Sequence, residues 1–163
     1  MVEWSPELVL TRQEWVLAHS WRRGAGRLRE TVVRVVDGTG ATVFQPPAAD
    51  DVPALVRELT TWANEAVEVP APVVSAMVHF GVAAIHPFRD GNGRTSRVCA
   101  ALAMYRGGFR APEFTSLEEW WGTHLTDYYG SFDCLGRTWD RRADVTPFLQ
   151  APVPAQRGQA EAP

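Results

Sequence analysis

One short run near the middle of the chain carries most of the side chains that could do chemistry. The run is HPFRDGNGRTSR, residues 86–97, and it lies between two apolar segments. Because the residue before a proline disfavours helical conformation, His86 is predicted to end the first segment's helix at the mouth of a loop. Histidine can accept a proton near neutral pH. The position therefore predicts a general base.

The same run predicts an anion site. Gly91 and Gly93 allow positive φ and close backbone approach, and the next helix is predicted to begin near Arg94. Free N–H groups and the helix dipole converge where a glycine-bearing loop enters a helix. Arg94 and Arg97 are three residues apart, so they share a helix face and could bind one anion together. These features favour a phosphate-containing ligand.

Asp90 places a carboxylate beside that predicted phosphate site. Since bare phosphate would be repelled, a bridging Mg²⁺ is expected, with Asp90 as its ligand. A Walker A loop is excluded because Phe88 and Arg94 stand where glycine and lysine are required, and a dinucleotide fingerprint is excluded by Ser96. A purely structural loop, whose glycines only cap helices, is the competing interpretation from the residues alone.

The elements that must position this run are mostly helices. Apolar residues recur at helical spacing in several stretches, and capping boxes mark two predicted helix starts. The segment 69–88 contains no Asp, Glu, Lys or Arg and is predicted to be a buried core helix with its flanks. The predicted helix signals are the capping box at Thr11–Glu14, a start near Asp51 and Pro53, the segment 69–88, a helix ended by Gly107-Gly108, a second capping box at Ser116–Glu119 and a short turn at Thr146-Pro147.

One region is instead typical of β structure. Residues 31–36 are rich in β-branched side chains, residues 37–40 suit a turn, and residues 42–44 resume the β-like pattern. The sequence predicts a hairpin closed off by Pro46-Pro47, which must lean on the helices because a lone hairpin is marginal. Residues 151–163 have a composition typical of a disordered tail.

Composition limits the classes of function. The chain has 163 residues, 45% hydrophobic and 21% charged, which suits one globular domain. The net charge of −3 argues against general affinity for nucleic acid or anionic membranes, and the arginines at 22, 23, 27 and 29 are predicted to form a solvated face. No transmembrane stretch, secretory signal or disulfide framework is evident, so a cytoplasmic protein is expected.

The run at 86–97 resembles the Fic family, whose pattern is His-x-Phe-x-(Asp/Glu)-Gly-Asn-Gly-Arg-x-x-Arg. It matches at every specified position. Further similarity includes Gly26-Arg27 before the hairpin and Tyr128-Tyr129 in a later helix. The resemblance implies an all-α Fic fold, a helical bundle with a small β-hairpin flap over the active site. It assigns residues 1–23 to an N-terminal helical segment, 24–149 to the Fic domain and 150–163 to the tail.

The resemblance also implies a reaction, the transfer of AMP from ATP to a Tyr, Thr or Ser hydroxyl of a target protein. A target segment would pair with the hairpin at residues 31–44, and Phe88 would anchor the loop. The implied roles are His86 as general base, Asp90 as Mg²⁺ ligand, Gly91, Asn92 and Gly93 as anion hole, Arg94 and Arg97 as phosphate ligands with Arg97 on the terminal phosphate, and Tyr128 beside the nucleotide. Gly136 stands where the family often has an asparagine, so the base contacts stay open.

Several alternatives stay open at this stage. The donor could be another nucleotide or phosphate-containing group, as for a toxin of a toxin–antitoxin pair, or the fold could bind nucleotide or a partner without catalysis. Phosphate transfer, as in the Doc branch, is disfavoured because the Gly-Asn-Gly-Arg core is intact. The chain contains no (Ser/Thr)-x-x-x-Glu-(Gly/Asn) segment of the family's restraining helix. Any restraint is therefore expected to come from a separate antitoxin chain, from homo-oligomerisation or from a further part of a longer protein.

Overall fold

The protein is mainly helical, with one small hairpin, as the sequence predicted. The computed structural model describes residues 3–18, 24–109 and 124–151. Within those ranges the α-helices are α1 (Pro6–Val16), α2 (Val52–Glu65), α3 (Ala71–Ile85), α4 (Asn92–Arg106), α5 (Leu125–Gly130) and α6 (Thr146–Gln150), the strands are β1 (Val35–Val36) and β2 (Thr42–Phe44), and short 3₁₀ helices cover Ala49–Asp51 and Ser131–Leu135.

Helices α3 and α4 form the centre of the fold and pack along their whole length. Small residues allow this closeness: a Cβ on Gly107 would lie only 2.1 Å from that of Ala71. The Ser75 hydroxyl donates to the Ala100 carbonyl of the facing helix at 2.9 Å. Helix α1 covers α4, and α2 covers α3. The charge-free segment is thus the buried core helix that the sequence predicted.

Helix α1 begins earlier than predicted. Its N-cap is Ser5, whose side chain accepts a hydrogen bond from the Leu8 amide at 3.2 Å, and Pro6 occupies the first helical position. The predicted capping box at Thr11–Glu14 was wrong, because Thr11 lies inside the helix and donates its hydroxyl to the Glu7 carbonyl. The helix therefore starts at the serine–proline signal and continues through the capping-box residues.

The hairpin is present but shorter than predicted. Only Val35 and Val36 of the first β-like run pair with β2, in an antiparallel register with an irregularity between them. The Val33 carbonyl instead accepts from the Gln45 side chain at 3.0 Å, outside the ladder. Phe44 is buried in an apolar cluster with side chains of α3, the 3₁₀ helix 131–135 and α6. The hairpin therefore leans on the helices, as its size requires.

The remaining predicted elements divide into confirmed and untested ones. The starts of α2 and α6 and the end of α4 at Gly107 are confirmed, and α4 begins slightly before the predicted position. The second capping box, Arg22 and Arg23, and the tail from residue 152 lie outside the described residues. No helix in the described ranges combines the length and apolarity needed to cross a membrane.

Candidate active site

His86 ends α3, as predicted, and does so in an unusual backbone conformation. Its φ of 51° and ψ of 56° are left-handed, and it is the one non-glycine residue with positive φ in the described part of the chain. Its N–H still closes the last turn onto Val82, while Pro87 has no N–H to continue the helix. A left-handed residue costs about 1–2 kcal/mol, so surrounding contacts must hold it there.

The imidazole of His86 has one ring nitrogen engaged and one available. Nδ1 lies 3.1 Å from the Ala83 carbonyl oxygen, which can only accept, so Nδ1 carries the proton in the neutral ring and Nε2 is the acceptor. Burial lowers the pKa of His86 below its ordinary value; the bond to Ala83 opposes this and the Arg29 charge adds to it. The ring is therefore neutral and able to accept a proton at neutral pH.

The loop after His86 is fixed by Asn92. The Asn92 side chain accepts from the Phe88 N–H at 2.9 Å and donates to the Phe88 carbonyl at 2.8 Å, and it is 3% exposed. Phe88 itself is fully buried in the core. The expected anchor at Phe88 is thus observed, and two of the four hydrogen bonds that the Asn92 amide can make hold the loop.

Gly91 has φ of 83°, and its N–H donates to the Asp90 carboxylate at 2.7 Å. Arg94 Nη2 lies 3.8 Å from the same carboxylate oxygen, and both side chains are well exposed. Gly93 lies in the first turn of α4, where an added Cβ would stand 3.6 Å from an Arg97 guanidinium nitrogen. The structure therefore places the carboxylate and both predicted phosphate arginines around the start of α4.

A metal at this site would rest on Asp90. No group of three or more His, Cys, Asp or Glu side chains that could hold an ion is found among the described residues. Mg²⁺ does not need such a group, because it commonly takes one or two carboxylates together with substrate phosphates and water. The Asp90 carboxylate, 37% exposed at the helix start, fits that pattern.

A cavity of about 820 Å³ lies between the hairpin and the α5–3₁₀ segment. This volume is in the range of small-molecule sites. His86 and Gly93 line it from the α3–α4 side, and the described walls are otherwise Ala83 together with residues of 35–38, 43–44, 128–130, 132–133 and 135–137. The predicted base therefore borders a cavity large enough for a nucleotide.

Tyr128 lines this cavity, and its hydroxyl is hydrogen-bonded to His79. The Tyr128 hydroxyl lies 3.2 Å from His79 Nε2, and both residues are buried. Burial, with a smaller contribution from the Arg97 charge, lowers the pKa of His79 to about 3, so this ring is neutral. His79 is therefore a hydrogen-bonded histidine of the core.

Two side chains from the N-terminal part of the chain brace the site, and neither was predicted as a site residue from the sequence. Arg29 was predicted to lie on a solvated face, but it is 2% exposed and its Nε donates to the His86 carbonyl at 2.8 Å. Gln13, 1% exposed, donates to the Asp90 carbonyl at 3.1 Å and accepts from the Gly26 N–H. No local signal separates Arg29 from the exposed Arg27, since the burial arises from distant segments.

Comparisons with known proteins agree with this geometry. The family model described as "Fic/DOC family" matches residues 3–104. The chain is 35% identical over 96 residues to the protein adenylyltransferase Fic of Nematostella vectensis, covering 58% of this chain and 21% of that one. It is 36% identical over 157 residues to the protein of the same name from Culex quinquefasciatus, covering 85% of this chain and 29% of that one. The chain thus spans less than a third of the length of these relatives.

A crystal structure of a Fic family protein from Desulfovibrio desulfuricans G20 superposes with a TM-score of 0.78 at 29% identity. The match covers 95% of this chain and 45% of that chain. The helical bundle with its hairpin is therefore the Fic fold. The matching family model and the shared fold show that this chain belongs to the Fic/DOC family.

Proposed function

We propose that this protein transfers AMP from ATP to a Tyr, Thr or Ser hydroxyl of a target protein. The observation that carries the proposal is His86, a neutral imidazole with Nδ1 bound to Ala83 and Nε2 able to accept a proton at the wall of the cavity. The relatives named protein adenylyltransferase support the same reaction.

In the proposed step, Nε2 of His86 takes the proton of the target hydroxyl as its oxygen attacks the α-phosphorus. The bond from the α-phosphorus to the oxygen bridging the α- and β-phosphates breaks, and pyrophosphate leaves. The partial burial of His86 favours its neutral form before the transfer. The products are a phosphodiester on the target and an imidazolium that loses its proton to solvent.

The start of α4 is the proposed phosphate site. The free backbone N–H groups at Asn92 and Gly93, with the glycine turn at Gly91, form the anion hole, and Arg94 and Arg97 neutralise phosphate charge, Arg97 at the terminal phosphate. Asp90 would hold Mg²⁺, which supplies charge stabilisation to the phosphates when bound.

Tyr128 and the hairpin form the two sides of the proposed substrate site. Tyr128 would present its ring to the nucleotide, with its hydroxyl tied to His79. The strand residues Val36 and Val43 are exposed on the hairpin, which suits capture of an extended target segment by strand pairing. We place the reaction in the cytoplasm, with restraint by a separate antitoxin chain or by self-association. Free thiols at Cys99 and Cys134 are compatible with that compartment.

The test is incubation with ATP labelled on the α- or the γ-phosphate, Mg²⁺ and a cell lysate. Protein label from the α- but not the γ-phosphate is expected, and it should vanish in His86→Ala and persist in the matched control His124→Ala, an exposed histidine. Label from the γ-phosphate alone would replace the proposal with phosphate transfer. Tight ATP binding without label under any condition would leave only a binding module.

A further inference from the structure

Arg29 is a buried cation that has no part in the proposed reaction. It lies between α1 and the hairpin, and its guanidinium donates to main-chain carbonyls, to His86 at 2.8 Å, Pro47 at 2.7 Å, Thr31 at 3.1 Å and Ile85 at 3.4 Å. Its own N–H donates to the Pro87 carbonyl at 2.9 Å. These partners carry no formal charge, so the cost of burying the cation is repaid only by hydrogen bonds and helix-end electrostatics.

These bonds converge on the turn that carries the predicted base. Three consecutive carbonyls, those of Ile85, His86 and Pro87, accept from Arg29. The last carbonyls of α3 form the negative end of the helix dipole, where a cation is stabilised. His86 is left-handed and is followed by a proline, so few backbone hydrogen bonds of its own hold it in place. Because Arg29 fixes the carbonyls before, at and after His86, it limits rotation about the ψ of His86.

The same guanidinium also contacts the two chain segments that flank the hairpin. Thr31 precedes the first strand and Pro47 follows the second, and Arg29 donates to the carbonyls of both. One rigid, planar donor group therefore connects the hairpin, which borders the cavity, to the turn that sets the direction of the imidazole. A lysine could not serve all four of these carbonyls, because it has three donors and they all lie on one nitrogen atom.

We propose that Arg29 is a positioning residue for His86: it holds the left-handed turn that aims the imidazole into the cavity and keeps that turn in register with the hairpin. The proposal rests on the proposed transfer reaction for its catalytic consequence. Its structural part, the fixed orientation of the ring, stands on the hydrogen bonds alone.

The experiment compares Arg29→Met with Arg27→Met, which removes an exposed arginine from the same segment. Both proteins are checked for a cooperative thermal transition, then followed by NMR of ring-¹⁵N-labelled histidine and by steady-state transfer of labelled AMP. The wild-type His86 ring should be in the Nδ1-protonated tautomer that its bond to Ala83 requires. The exposed His124 provides a reference signal from a histidine outside the motif loop.

In folded Arg29→Met we expect the His86 ring to lose that tautomer and kcat to fall about 10- to 100-fold, as misplacement of a reacting group does, with KM for ATP changing less than about threefold. Arg27→Met should match the wild type in both measurements. An unchanged His86 spectrum together with an unchanged kcat in Arg29→Met would overturn the proposal, and so would an equal loss in Arg27→Met.

Arg29→Lys covers the case in which Arg29→Met fails to fold. It keeps the charge but can make fewer of the hydrogen bonds, so we expect an intermediate spectrum and an intermediate kcat. Wild-type values in a folded Arg29→Lys would show that charge alone suffices and would refute positioning by the guanidinium. If the wild type transfers no label at all, the transfer reaction fails while the NMR comparison still decides the role of Arg29.

Discussion

Replacing Asn92 with alanine tests whether the motif loop is held by one side chain. Asn92 makes two hydrogen bonds to the backbone of Phe88, at 2.9 and 2.8 Å, and both Phe88 groups would be left buried and unpaired. Asn64 offers a matched control, because it makes the same pair of bonds to the backbone of Trp4, at 2.8 and 2.8 Å, away from the cavity.

The magnitude follows from burial. A buried polar group without a partner costs about 1–3 kcal/mol, so losing the partners of two Phe88 groups in Asn92→Ala should lower the free energy of unfolding by about 2–6 kcal/mol. Asn64 is more exposed, so water can replace its bonds, and Asn64→Ala should cost about 1–2 kcal/mol. For a chain of this size 1 kcal/mol corresponds to about 2–4 °C in Tm.

Urea denaturation gives the two free energies, and transfer of labelled AMP is then measured well below both midpoints. We expect Asn92→Ala to lose transfer activity by at least about tenfold while folded, and Asn64→Ala to keep it. Comparable losses of activity in the two variants, or full activity in folded Asn92→Ala, would refute the idea that this side chain holds the loop in its active geometry.

Four other predictions concern protonation and the phosphate site. The pKa of His79 is lowered to about 3 in the folded protein from its ordinary 6.5, so between these two pH values the unfolded chain binds more protons than the folded one. The contribution of His79 to the free energy of unfolding should therefore be complete above pH 6.5 and fall as the pH is lowered, by up to about 1.4 kcal/mol per pH unit. Urea titrations of wild type and His79→Gln should show the weaker pH dependence in the variant. Since the pKa of His86 is also lowered, the acid limb of kcat/KM should have its midpoint below the ordinary histidine value, and a midpoint above it would contradict a neutral, buried base. Asp90→Ala should lose activity together with its dependence on Mg²⁺, and an unchanged rate would remove Asp90 from the metal. Arg97→Ala should weaken binding of ATP by about tenfold and of AMP much less, as measured by calorimetry, and equal losses would contradict its place at the terminal phosphate.

Local patterns were a good guide to the helices and a poorer guide to their ends. The charge-free segment became α3 and His86 ended it, because a run of apolar residues followed by proline leaves few alternatives. The start of α1 was misplaced because two capping signals lie close together, at Ser5 and Thr11, and local sequence does not rank them. The first strand of the hairpin was predicted too long because β-branched residues also suit the extended segment before Val35.

The chain's own sequence determined the contiguous part of the candidate site. Residues 86–97 carry the base, the carboxylate, the glycines and the arginines within one loop and one helix start, so chain connectivity already brings them together. Their individual roles remain predictions, to be tested as described above. Tertiary structure decided which distant side chains brace that loop: Arg29 meets His86 across 57 positions of sequence and Gln13 meets Asp90 across 77. Burial of such polar side chains depends on segments that meet only on folding, and no local pattern encodes that meeting.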